Sequence, residues 1–127
     1  MLSRSPGVTQ ECFQLELDAG LDVQRVNLVQ AQAVVDWYCK WYGVPACKVV
    51  SNPREVIRNL GSYCQNIITL WPRGVQLRTV IHEVAHHLSY HLPPLSHCHD
   101  AAFQFWHKQV LLKYGLEVFE LVRATAV

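Results

Sequence analysis

The sequence predicts an α+β fold with a small mixed or antiparallel sheet packed on a long helix. Three observations carry that reading. Apolar residues recur at helical spacing in two long windows, short runs of strand character lie between them, and the elements do not alternate as βαβ units do. At 127 residues the chain fits one domain, 1–127, with a hydrophobic core of its own. Half of the residues are apolar, which suits a globular chain rather than a disordered one.

Residues 1–10 read as a flexible tail, and the alternation from Cys12 to Leu17 reads as a short strand. From Asp22 to Tyr42 the pattern is helical, with Val26, Val29, Ala33, Val34, Trp37, Tyr38 and Trp41 as its apolar stripe. Gly43 and Pro45 stop that helix. Ala46 to Ser51 reads as a strand. Asn52, Pro53 and Glu55 look like a helix start, giving a short helix that ends at Gly61, with an extended hairpin arm as the competing reading. Tyr63 to Leu70 reads as one strand and Trp71 to Gly74 as a turn. A second long helix covers Val75 to Tyr90, and Leu92-Pro93-Pro94-Leu95 breaks it. A third starts near Ser96–His99 and runs to Tyr114, closed by Gly115.

Eleven basic and ten acidic residues leave a formal charge of +1, so no bulk electrostatic argument favours a nucleic-acid partner. Five widely spaced cysteines, with no C-x-x-C pair, argue for reduced thiols rather than a secreted disulfide scaffold. The N-terminus lacks the apolar core of a signal peptide, and no apolar run approaches the roughly 18 residues that span a bilayer. A cytoplasmic protein with no membrane partner is the expectation. Oligomeric state is not legible.

All seven histidines fall between Thr79 and Lys108. His82-Glu83-Val84-Ala85-His86 is an H-E-x-x-H motif on the second long helix. Residues four apart on a helix lie one turn apart and about 40° round the axis, so both imidazoles can reach one ion. Glu83 lies about 100° from His82, beside the ion, where it can take a proton from a metal-activated water. Leu77, Val80, Ile81, Val84, Ala85, Leu88 and Leu92 cover one broad side of this helix, and the two histidines border it. The bland alternative is a surface helix with two chance histidines.

Catalytic zinc commonly takes three protein ligands and leaves one position open. His87 and His91 point away from the ion on a regular helix and read, like His107, as surface or interface groups. The metzincin pattern needs Gly at 89 and His at 92, where this chain has Ser89 and Leu92. His99 shares a stripe with Phe103, Trp106 and Val110 that faces the motif helix, so it leads as third ligand. His97 follows, then a carboxylate such as Asp100 or Glu117. Cys98 reads as a thiol outside the chemistry, and Trp37, Tyr38, Trp41 and Tyr42 read as core.

The motif, followed thirteen residues later by His99-Asp100-Ala101-Ala102-Phe103, resembles the SprT/Spartan-like zinc metallopeptidases, whose pattern is H-E-x-x-H and then H-G-x-x-F or W opening a helix. Ile67 to Pro72 ahead of the T-x-x-H-E segment Thr79 to Glu83 resembles zincins generally, as well as minimal gluzincins and small bacterial proteins described only as metallohydrolases. The likeness covers about residues 62–114. Asp100 stands where the pattern has Gly, and the four-cysteine ribbon of many SprT-like proteins is missing, so a DNA-linked role finds little support. Minimal gluzincins use Glu as third ligand, which would displace His99.

The resemblance implies a zincin-like fold and a zinc-dependent metallopeptidase, with Zn²⁺ on His82, His86 and His99 and Glu83 as general base. It also implies an extended peptide or protein substrate that adds as a strand along Tyr63–Leu70. The competing function is a non-catalytic zincin-fold binding or regulatory domain whose metal holds helices together. An intact Glu83 favours the hydrolase, because a structural site has no use for a base beside the ion.

Overall fold

The computed structural model describes residues 25–55 and 60–113. Their order is α1 (Leu28–Tyr42), β1 (Lys48–Ser51), β2 (Gly61–Cys64), β3 (Ile67–Leu70), a 3₁₀ turn (Pro72–Gly74), α2 (Leu77–His91) and α3 (Ala101–Lys113). The architecture is α+β, as expected. The readings made for residues 1–24 and 114–127, including the Cys12–Leu17 strand and Glu117, lie outside the described residues.

Asn27 fixes the start of α1. Its Oδ1 accepts from the Gln30 amide at 2.7 Å, and Gln30 Oε1 accepts from the Asn27 amide at 2.9 Å. This reciprocal capping box satisfies two orphan donors and places the helix start at residue 28, later than the apolar pattern suggests. Gly43, at φ 69°, ends the helix in the left-handed region. The buried face is Gln30, Ala31, Val34, Val35, Tyr38 and Cys39. The expected stripe is therefore rotated: Val29 is 67% and Trp41 52% exposed. Trp41 instead stacks on Trp37 at 5.6 Å, with Lys113 Nζ 4.0 Å from its ring.

Tyr63–Leu70 is not one strand. Gln65 (φ 41°) and Asn66 (φ 70°) form a two-residue turn that folds β2 back on β3, with Cys64 opposite Ile67. Positive φ at both turn residues matches a type I′ hairpin, whose twist suits the flanking strands. The sheet order is β1-β3-β2, with β1 parallel and β2 antiparallel to β3, so the sheet is mixed. β3 is thus the central strand. The short helix expected to end at Gly61 is not formed over the described part of that stretch: 53–55 are irregular, Asn52 Oδ1 accepts locally from the Arg54 amide, and Gly61 opens β2.

α2 lies under the sheet and buries Leu77, Val80, Ile81, Val84, Ala85 and Leu88, the side its sequence predicts. α3 packs along α2, with Phe103 against the His82 and His86 rings, and buries Trp106 and Val110 in the core. Tyr38 Oη ties α1 to α3 by donating to the Val110 carbonyl at 2.7 Å. α3 starts at Ala101 rather than near Ser96–His99, because Asp100 Oδ1 accepts from the Phe103 amide and caps it. The described cysteines are free thiols, and burial pushes Cys39 up to about 11 and Cys47 up to about 12. No described helix is long and apolar enough to cross a membrane.

Candidate metal centre

His82 and His86, one turn apart on α2, meet His99 from the segment that leads into α3. His99 Nε2 lies 2.8 Å from His82 Nε2 and 3.2 Å from His86 Nε2. One ligand atom from each of the three falls within 4.8 Å of the others. Nitrogens bound tetrahedrally at about 2.0–2.1 Å from zinc would stand about 3.3 Å apart. The set therefore has the chemistry and nearly the spacing of a three-imidazole metal site. Convergence of three lone-pair-bearing rings is itself costly unless a cation or shared protons occupy the focus.

Phe103 forms one wall of the cluster, its ring centroid 4.3 Å from that of His86, 4.8 Å from His99 and 4.9 Å from His82. Burial, helped by the neighbouring His82, His99 and His107, pushes His86 down to about 2. It is held as neutral imidazole, the form that can donate a lone pair to a metal.

Glu83 is only 5% exposed and lies outside the converging set. Its side chain rests against the start of β2: a Cβ added at Gly61 would stand 3.3 Å from Glu83 Oε2 and 2.6 Å from Thr79 Cγ2. Gly61 is thus required by close approach rather than by backbone angle. It has no signal in the sequence, because the contact depends on how a strand and a helix are docked.

The other candidates separate from the site. His97 is exposed, its ring 5.8 Å from that of Tyr90. Cys98 Sγ faces Asp100 Oδ2 at 3.6 Å. Burial alone would raise Asp100, but hydrogen bonds from Ser96, the Phe103 amide and Cys98 hold it below the usual carboxylate value. None of the three joins the converging set.

Two histidines read as surface or interface groups are fully buried. His107 stacks on Phe103 at 5.5 Å and lies 5.6 Å from the His82 ring, because the inward face of α3 extends from Phe103 and Trp106 to residue 107. His87 sits under β2, its Nε2 2.8 Å from the Pro45 carbonyl and its Nδ1 2.8 Å from Tyr63 Oη. His91, half-buried, contacts Asn66 Oδ1 through its Nε2. Burial pushes Tyr63 up to about 12, so the phenol keeps its proton.

No protein-family model, curated protein or solved structure matches this chain.

Proposed function

We propose that the chain is a zinc-dependent hydrolase of the zincin-like kind, a metallopeptidase with His82, His86 and His99 as metal ligands and Glu83 as general base. The observation that carries the reading is the convergence of those three imidazoles, with a buried carboxylate next in sequence to His82 on α2. A mixed sheet with an antiparallel edge strand over the motif helix agrees with it. Zinc bound there supplies Lewis acidity and brings the pKa of a water toward 7.

The protein's own groups do the remaining work. The Glu83 carboxylate takes the proton of the water that attacks the scissile carbonyl. As the C–N bond breaks, it returns that proton to the departing amine. Burial against Gly61 restricts its rotamers, so proton transfer occurs from one position. An extended peptide adds to β2 at Gly61–Cys64. The Ile67–Leu70 half of the expected docking strand is excluded, since β3 is already paired on both sides.

The test is paired. Zinc content and cleavage of an unfolded protein are measured for the wild type and Glu83→Gln. One zinc per chain in both, with hydrolysis reduced by about 10²–10⁴-fold in Glu83→Gln, is expected. Zinc well below one per chain in the wild type would overturn the site. Full zinc without Glu83-dependent cleavage would leave the metal centre standing and overturn the enzyme.

A further inference from the structure

α2 carries a second line of polar residues that the metal centre does not use. Thr79, Glu83, His87 and His91 follow at intervals of four and share one side of the helix. This side faces the hairpin. Gly61 meets Thr79 and Glu83, Tyr63 meets His87, and Asn66 meets His91. The spacing is commensurate: four helical residues rise about 6 Å and two strand residues about 6.7 Å. β2 and α2 therefore run side by side in the same direction, with Gly61 beside Thr79 and Glu83 and Tyr63 beside His87 one turn further on.

The protons in this seam are ordered. The Pro45 carbonyl only accepts, so His87 Nε2 carries the hydrogen and donates to it. A neutral His87 then accepts at Nδ1, and Tyr63 Oη donates to it. Tyr63 Oη in turn accepts from the Asn66 amide at 3.1 Å, and its own proton goes to His87 Nδ1 at 2.8 Å rather than to the more distant Asn66 Oδ1 at 3.3 Å. His87 is thereby held between the loop ahead of β1 and the edge strand, and cannot turn without breaking one of two buried bonds.

We infer that Tyr63 and His87 form a latch that sets the register of β2 against α2 and so fixes Gly61 over the Glu83 carboxylate. Both act as positioning residues, through Glu83 rather than on substrate. The effect on hydrolysis rests on the metallopeptidase reading; the effect on register does not.

The experiment uses the zinc-loaded full chain with three variants. Tyr63→Phe removes the donor. His87→Gln places its amide near the position of Nε2 and keeps the Pro45 bond alone. His87→Asn places its Oδ1 near the position of Nδ1 and keeps the Tyr63 bond. The register is read by the nuclear Overhauser effect between the Gly61 α-protons and the Thr79 methyl. That signal is expected to weaken in Tyr63→Phe and His87→Gln and to persist in His87→Asn. In the first two, kcat should fall about tenfold or more with KM and zinc content unchanged, since a shift of about 1 Å at a reacting group has effects up to about 10²-fold. His87→Asn should stay within about twofold of wild type.

An unchanged Overhauser signal and kcat in Tyr63→Phe would overturn the latch, as would His87→Asn failing together with His87→Gln. A wild type without Glu83-dependent hydrolysis, whose Overhauser signal still weakens on Tyr63→Phe, would overturn the peptidase and leave the latch in place. Should His87→Gln not fold, Tyr63→Phe, which removes one oxygen, decides.

Discussion

Gly61 shows how one missing methyl group can hold a site together. A β-carbon there would meet Thr79 Cγ2 at 2.6 Å, and the branched threonine on a packed helix has little room to yield. Gly61→Ala is expected to lower stability by about 1–3 kcal/mol, measured by urea denaturation. Thr79→Ser removes the clashing methyl, so the double variant should recover most of that loss. Strict additivity of the two changes would show that the contact is not the cause. His82 and His86 are legible at this scale, because i, i+4 spacing depends on helix geometry alone; His99 is legible by its nearness to the Phe103 and Trp106 stripe, although it lies just ahead of α3. Gly61, Tyr63 and His87 are not. Their importance arises only where two elements dock, and local sequence pattern carries no information about docking.

At the scale of elements, ends are decided by single residues. Gly43 closes α1 at φ 69° with nothing within 4 Å of the position a β-carbon would take. The cost of Gly43→Ala is therefore conformational rather than steric, about 1–2 kcal/mol. Gly43→Asn should lose less, because Asn tolerates the left-handed region. Thermal melts of the two variants check this; equal losses would mean that the backbone angle is not what Gly43 provides. The same chemistry explains where the pattern misleads. Tyr63 to Leu70 looks like one strand because Gln65-Asn66 is not the Asn-Gly pair that announces a two-residue hairpin. The apolar stripe of α1 points the wrong way because Gln30, polar but folded into the capping box, occupies the buried side and Trp41 the open one.

For the whole molecule, the histidines couple folding to pH and to metal. Burial leaves His86 and His87 with pKa values below those of the unfolded chain. As pH falls through about 6.5, the unfolded chain takes up protons that the folded one refuses. Stability of the zinc-free protein should thus be full above about pH 7 and should decline below 6.5, by up to about 1.4 kcal/mol per pH unit for each of these imidazoles. A depressed carboxylate such as Asp100 acts in the same direction but only near and below its ordinary value of 3.8, so the interval from pH 7 to 5 isolates the histidines. Zinc binds the folded chain selectively and should add about 2.7 kcal/mol at a hundredfold excess over its dissociation constant. The separation between the zinc-loaded and chelated midpoints at each pH measures that binding. Urea titrations at pH 7.5, 6.5 and 5.5, with zinc and with chelator, separate the two effects. A zinc-free midpoint that stays level across that range would mean that the buried rings are not held neutral. Midpoints that coincide with zinc and with chelator would mean that the folded chain does not hold the ion.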